Sequence, residues 1–407
     1  MSAALSEGTS VLFLAPIAPA RGGNGLAMRA GMLLEAIAPQ VPVDVVVVPV
    51  SGPANDLEWV AGMARTVRVI RPVDASRSGM HLAAQLADER LRGLLNKTAP
   101  LPLRASAAPP TLAGDIVRGI PASTDLVAVL AMRSYLAPLG AEVARRLRAP
   151  RLVVDLDDDD EAVLRSLGEH AEAEAIGRLA AAWLPGADVV LTASAVDADA
   201  VRGRYGLDRV VVVPNAMCPV ADPPPLPGRG RLLFVGNLTY RPNLEAVSLL
   251  VEEILPRVRR ACPAVTLKVI GPSAPGSLDE VADFEGVTVA GFVPDLGPSY
   301  ARADVVVVPL LHGAGTRIKV LEAFAHCRPV VATPVAVEGL DVRDGEDVLL
   351  ADGPEALAHA IVTLLDDPAR AAALAERAGR TLARCYVPSV VGPKVRRAVL
   401  PSRTEAA

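Results

Sequence analysis

Short runs of valine, leucine and isoleucine recur along this chain with almost no polar residue inside them. They occur at residues 11–15, 43–48, 66–70, 126–130, 152–155, 189–192 and 210–213, and Ala/Leu/Arg-rich helical stretches lie between them. A strand with one wet face alternates apolar and polar residues. A continuous apolar run is buried on both faces, as in a parallel sheet covered by helices. The pattern breaks at Pro214, and Pro219 to Pro227 holds five prolines in nine residues, the composition of a stiff linker. The runs then resume at 232–235, 265–270, 287–290, 304–309, 330–333 and 348–350, with helical patterns over 242–258 and 354–365. This predicts an α/β chain of two doubly wound, Rossmann-like domains. Their expected bounds are 1–213 and 231–385, joined by a proline-rich hinge at 214–230. The segment 386–407 is expected to cross back to the first domain.

Composition removes several classes of function. The 407 residues include 41 Lys+Arg and 46 Asp+Glu, a net charge of -5, which argues against a general nucleic-acid binder. Aromatic residues make up only 3%, too few for stacking platforms along single strands. Cys218, Cys262, Cys327 and Cys385 stand alone, with no CxxC and no Cys/His cluster. Isolated thiols fit a reducing compartment. The N-terminus MSAALSEGTS has no basic leader, and no window reaches the roughly 18 apolar residues of a membrane span. The expectation is a cytoplasmic protein.

Ligands in open α/β sheets sit beyond the carboxyl ends of the strands, so the expected site is the cleft between two facing domains and its chemistry lies in the loops after strands. After the first strand, Gly22, Gly23 and Gly25 precede a helix expected near Leu26. They read either as a close backbone approach to an anion or as a flexible turn. The stretch from Pro309 to Ala325 is sharper. It carries His312, Gly313, Gly315 and Thr316 in a loop, and then a helix expected to start at Thr316. Arg317 and Lys319 fall in the first turn, where cations oppose the helix dipole at a cost of ~0.3–1 kcal/mol each unless an anion is present. Glu322 shares the face of Lys319. One reading is a surface helix with a Lys319–Glu322 pair. The other is an anion pocket of amides, two cations and a carboxylate placed for sugar hydroxyls.

Acids crowd residues 155–161, Asp-Leu-Asp-Asp-Asp-Asp-Glu. They read as the favourable N-terminus of a helix expected over 161–182. A second reading is an acceptor pocket built on Asp157 and Asp158. A metal-binding Asp-x-Asp is a third, disfavoured by the two-domain pattern.

The order and spacing of several motifs resemble retaining glycosyltransferases of family 4, which have the GT-B fold. They are Val212-Val-Pro-Asn-Ala216, Phe234-Val-Gly-Asn-Leu-Thr-Tyr-Arg-Pro-Asn243, Val269-Ile-Gly-Pro272, Gly291-Phe-Val-Pro-Asp295, the 309–325 stretch and residues 328–339. The resemblance covers most of the chain. It implies transfer of a sugar from a nucleoside diphosphate to a glycan, lipid-linked or small-molecule acceptor, with retention, no metal and no cofactor. It places Glu322 on the donor ribose and Arg317 and Lys319 on the diphosphate. Gly22 and Gly23 also approach the diphosphate, and Gly291, Phe292 and Val293 face the nucleobase. The chain departs from the family in two places. Ala314 stands where the Glu-x7-Glu motif has its first Glu, and Asn237 stands where relatives carry Arg, leaving Arg241 as the nearest cation. In some relatives a basic face touches anionic membrane. Arg65, Arg68, Arg71, Arg77, Arg90, Arg92, Lys97 and Arg104 offer such a region here, or simply a solvated face. A nucleotide-sugar epimerase, a phosphorylase and a non-catalytic binding protein remain as alternatives.

Overall fold

The computed structural model describes residues 9–71, 102–121, 123–313 and 317–401. Their contacts divide them into two compact units, residues 9–215 with 391–401 and residues 216–313 with 317–390.

In the first unit the strands are β1 (Thr9–Ala15), β2 (Val43–Val47), β3 (Thr66–Val69), β4 (Asp125–Met132), β5 (Leu152–Asp155), β6 (Val189–Thr192) and β7 (Val210–Val212). Among the described residues they form one sheet in the order β3-β2-β1-β4-β5-β6-β7, every neighbouring pair parallel. All residues of β1, β2 and β5 are buried, the reason their sequences are continuous apolar runs. Parallel neighbours need long crossovers, and the helices Gly25–Ile37, Ala137–Leu147 and His170–Trp183 lie in them. The winding reverses between β1 and β4, which makes their carboxyl ends the place for a ligand.

The second unit repeats the plan. Its strands are β8 (Arg231–Val235), β9 (Thr266–Ile270), β10 (Val287–Val289), β11 (Val305–Val308), β12 (Val330–Ala332) and β13 (Leu349–Leu350). They are ordered β10-β9-β8-β11-β12-β13, all parallel. Phe234, Val269, Val307, Phe324 and Ile361 are fully buried between sheet and helices. The switch point here lies between β8 and β11.

Several sequence expectations change. The helix expected over 161–182 is two helices, Asp160–Ser166 and His170–Trp183. Gly168 breaks it at φ +77, with Gly168 N–H bonded to Arg165 O at 3.0 Å and Glu169 N–H to Leu164 O at 2.9 Å. This is the Schellman termination that glycine favours. The 242–258 pattern runs as Arg241–Leu249, a π turn Leu250–Ile254 and Leu255–Ala261. Pro256 lacks an N–H and crowds the carbonyl four residues back, so the turn before it widens.

The proline-rich segment is tied to residues of the second unit. Arg328, fully buried, donates to the carbonyls of Pro224 and, at 3.4 Å, Pro225. Val220 N–H bonds to Ala325 O at 2.9 Å, and Asp304 accepts from Gly228 and Arg229 N–H. Prolines donate nothing, so their carbonyls find a partner in a buried guanidinium, and the segment belongs to the second unit.

Much of the described basic region is structural. Arg65 pairs with buried Asp44 of β2, Arg68 donates to Ile116 O at 2.8 Å, and Arg104 lies 3.4 Å from Glu172. Arg71 is exposed. Arg77, Arg90, Arg92 and Lys97 lie outside the described residues. No helix among the described residues is long and apolar enough to cross a membrane. The last helix, Pro388–Val399, carries the chain into the first unit, where Arg396 reaches Ala36 O at 3.4 Å and Arg151 reaches Leu400 O at 3.0 Å.

Candidate functional site

At the switch point of the second unit, β8 runs into Gly236 and β9 into Gly271. A Cβ on Gly271 meets Gly236 O at 1.7 Å, and its φ is +153, so only glycine fits that crossing. Gly236 itself lies so close to Lys319 that a Cβ there sits 3.0 Å from Nζ. Next in the chain, Asn237 turns the loop. Its Oδ1 accepts from Thr239 N–H at 3.0 Å and Oγ1 at 2.8 Å, and its carbonyl accepts from Asn243 Nδ2 at 2.7 Å. Asn243 Oδ1 in turn accepts from Lys319 Nζ at 2.6 Å, and Nζ lies 4.7 Å from the centre of the Phe234 ring.

The loop after β11 supplies the cations. The helix is Ile318–Ala325, and Arg317 occupies its N-cap with no side-chain cap bond and no acid in the first turn. Thr316, the cap expected from the sequence, lies outside the described residues with Ala314 and Gly315. Arg317 is buried, with Nε donating to Val335 O at 3.1 Å and Nη2 to Gly313 O at 2.8 Å. Gly313 has φ +124. His312 Nε2 bonds to Glu245 Oε2, and Arg241 pairs with the same carboxylate at 3.3 Å. Gly291, at φ +60, accepts from Gly271 N–H at 2.8 Å, which brings the Gly291–Val293 segment to the same end of the sheet; Phe292 there is exposed.

Burial governs the charges. Lys319 is pushed down to about 7 by burial and then by Arg317, against the pull of Glu322. Glu322 is pushed up to about 7 by burial, opposed by the Tyr300 hydroxyl bond and by Lys319. Tyr300 Oη donates to Glu322 Oε2 at 3.2 Å and stacks on His326 with ring centres 4.5 Å apart. Lys319 thus spends its hydrogen bond on Asn243, with Glu322 nearby and bonded to Tyr300. The arrangement is a buried cation pair beside glycine backbone, with a carboxylate one helical turn away.

In the first unit, a second constellation forms beyond β4 and β5. Arg29, on the helix Gly25–Ile37, is fully buried. It donates to Asp155 from Nε at 2.8 Å and Nη2 at 2.6 Å, and from Nη1 to Val213 O at 3.0 Å and Asn215 Oδ1 at 3.2 Å. Arg133, at φ +70, pairs with Asp160 and lies 3.5 Å from both Asp157 and Asp158. Asp157 has φ +60 and is buried, and its Oδ1 lies 3.5 Å from Arg29 Nε without a hydrogen bond. Burial first, then Asp158, holds its carboxyl well above the usual range despite both arginines. Asp159 instead caps the following helix through Ala162 N–H at 3.1 Å. The acidic run therefore divides: Asp155 and Asp160 neutralise buried arginines, Asp159 caps, and Asp157 is left with bonding capacity. Gly22 and Gly23 are exposed in the loop before Asn24, whose side chain caps the helix at Leu26 N–H, and Gly23 has φ +91. Among the described residues no group of three or more His, Cys, Asp or Glu side chains is arranged to hold a metal ion.

Sequence reading missed Asn243, Tyr300, Arg29 and Arg133. Arg29 had a signal, a lone cation among the apolar residues Ala27, Ala30, Leu33 and Leu34 of one helix face. Arg133 directly follows β4, at the strand end where ligand-binding residues are expected. Tyr300 sits on a short helix far from the motif in sequence and had none.

Two Rossmann-like units with these strand orders make this a GT-B type of chain. It superposes on sucrose-phosphate synthase from Thermosynechococcus elongatus with a TM-score of 0.70 at 20% identity, covering 95% of this chain and 97% of that one. The Anabaena protein HepE, in complex with UDP and glucose, matches with a TM-score of 0.65 at 16% identity, covering 95% and 97%. Residues 229–367, within the second unit, match the family described as Glycosyl transferases group 1. The chain is 31% identical over 246 residues to the D-inositol 3-phosphate glycosyltransferase of Rhodococcus opacus (strain B4), covering 56% of this chain and 48% of that protein. It spans about half the length of the curated relatives it matches.

Proposed function

We propose that the chain is a retaining glycosyltransferase that moves a sugar from a nucleoside diphosphate to an acceptor hydroxyl. The observation that carries this is Lys319, a cation buried beside Arg317 and the Gly236 backbone at the switch point, and pushed down to about 7. A buried ammonium so placed is costly alone and favourable once an anion arrives. In the reaction the bond from the anomeric carbon to the phosphate oxygen breaks, and the electron pair leaves with the diphosphate. Lys319 and Arg317 stabilise that growing charge. Side chains thereby fill the task a metal has elsewhere, and activity is expected to survive excess EDTA. Glu322, oriented by Tyr300, accepts from ribose hydroxyls. Gly291, Phe292 and Val293 border the nucleobase, and Gly22 and Gly23 line the diphosphate side of the first unit. Asp157 and Asp158 hold the acceptor hydroxyl, for which Asp157 Oδ1 has capacity. His312 and Arg241 act on the donor loop through Glu245.

Two observations favour a second reading, a binding protein without turnover: Ala314 stands where the motif has a carboxylate, and the Asn237 side chain is committed to Thr239. The test is a panel of nucleoside diphosphate sugars scored first for thermal protection. The hit is then incubated with acceptors, and the anomeric configuration of the product is read by NMR. Transfer with retention supports the proposal. Protection with no transfer, hydrolysis or isomerisation across the panel supports the second reading, and isomerised donor without acceptor identifies an epimerase.

A further inference from the structure

We propose a second anion site on the second unit, separate from the donor site, that takes a small phosphomonoester. A cavity of about 370 Å³ lies against β8, β9, β10 and the helix Gly297–Ala301, within the size range of small-molecule sites. Arg231, Lys268 and Arg302 line it together with the hydroxyl residues Thr266, Thr288 and Ser299. The sheet register puts these groups side by side. Arg231 is the partner of Thr266 across β8–β9, and Lys268 is the partner of Thr288 across β9–β10. Partners in a row project from the same face.

No lining residue is acidic. The nearest acid in sequence, Asp304, has its carboxylate taken by the N–H groups of Gly228, Arg229 and Arg231 at 2.6, 2.9 and 2.8 Å. None of the three cations forms an ion pair with a carboxylate among the described residues. Lys268 Nζ is instead held by Ser299 Oγ at 3.0 Å, which fixes it at the cavity wall. Three unpaired cations sharing a concave surface with three hydroxyls match a dianionic phosphoryl group on a hydroxyl-bearing carbon skeleton.

Position separates this cavity from the donor site. Arg231 opens β8, whereas Gly236 follows its carboxyl end, a strand of five residues or about 16 Å away. The two places share one element: Ser299 lines the cavity, and its neighbour Tyr300 orients Glu322.

The experiment is calorimetric titration of the full chain with ribose 5-phosphate and with inorganic phosphate, alongside Lys268→Met, Arg302→Met and Lys319→Met. Circular dichroism and thermal unfolding confirm folding of each. Binding that weakens about tenfold or more in Lys268→Met and in Arg302→Met, and persists in Lys319→Met, supports the site. Arg302 is exposed, so its variant keeps the test open if Lys268→Met fails to fold. Binding lost only in Lys319→Met places the anion in the donor site and overturns the proposal, as does no binding at millimolar ligand. Co-sedimentation with phosphatidylglycerol vesicles is the remaining arm. Vesicle binding that depends on Lys268, with no response to either free ligand, assigns the cavity to a lipid headgroup and also overturns it.

Discussion

Tyr300 and Glu322 stand 22 residues apart, and the phenol donates to the carboxylate at 3.2 Å. Burial pushes Glu322 up to about 7, and this bond is the largest influence holding it down. In the folded protein Glu322 therefore gains its proton as pH falls through about 7, and a neutral acid is a poorer acceptor for ribose hydroxyls. The expected kcat/KM declines on the acid side of pH 7. Tyr300→Phe moves that decline to higher pH, because the charged form has lost its donor. Glu322→Ala costs about 2–4 kcal/mol in kcat/KM at pH 8. A pH profile in Tyr300→Phe that overlays the wild type removes this pair from the site.

On the proposed role of Lys319, donor binding is expected to be a protonation event. Its ammonium is pushed down to about 7, so at pH 8 much of it is neutral in the free protein, and a bound diphosphate draws a proton back on. Titrations at pH 8 in buffers of differing ionisation enthalpy are expected to show net proton uptake, and Lys319→Met to abolish it. The stability sign follows from the same shift. Between about 7 and the ordinary value near 10.4 the unfolded chain binds more protons, so this residue's contribution to stability rises with pH across that window. At pH 7 it is a liability, and Lys319→Met is expected to raise ligand-free stability by about 1 kcal/mol while losing about 2–4 kcal/mol in kcat/KM. A variant both less stable and fully active contradicts the assignment.

The fold was legible because strands buried on both faces write themselves as continuous apolar runs, as β11 and β12 do over their whole length and β5 and β6 do up to their last residue. The cations of the candidate site were conspicuous in the sequence because Arg317 and Lys319 stand where a helix dipole disfavours them. What stayed hidden depends on long-range packing. Arg29 meets Asp155 across 126 residues, and Arg328 meets Pro224 across 104. The acidic run was legible as a helix N-terminus, where Asp159 caps and Asp160 and Glu161 follow in the first turn; which of its other carboxylates are consumed is decided by Arg29 and Arg133, brought in by other elements. The proline segment read as a stiff linker, but the sequence does not show the buried guanidinium of Arg328 that binds its carbonyls.

Asp155 and Asp157, two residues apart, are expected to behave oppositely. Asp155 is bidentate to fully buried Arg29, so Asp155→Asn leaves an uncompensated buried charge and costs about 3–5 kcal/mol of stability. Asp157 carries a carboxyl held well above its usual range. The folded state keeps its proton longer, so its contribution to stability falls as pH rises through that window. Asn tolerates the φ of +60. Asp157→Asn is therefore expected to unfold at or above the wild-type temperature at pH 7 and to lose acceptor-dependent turnover at least tenfold. Unfolding temperatures and transfer rates of the two variants decide it. Equal destabilisation of both makes Asp157 a structural carboxylate.

Gly236 and Gly271 touch, yet substituting them should have different consequences. A Cβ on Gly271 falls 1.7 Å from Gly236 O, a backbone atom at a strand end, and its φ of +153 is strained for any side chain. Gly271→Ala is expected to lower stability by about 2 kcal/mol or more. A Cβ on Gly236 meets the Asn243 side chain at 3.0 Å and Lys319 Nζ at 3.0 Å, and its φ is not positive. The end of a lysine yields at little cost, so Gly236→Ala should fold. The methyl then occupies the space beside the ammonium that a phosphoryl group needs, and it pushes Nζ off Asn243. The expected result is a donor KM raised about tenfold or more, with the unfolding temperature changed by only about 2 °C. Calorimetric donor binding separates the two outcomes. Unchanged donor affinity in a folded Gly236→Ala places the diphosphate somewhere other than beside Lys319.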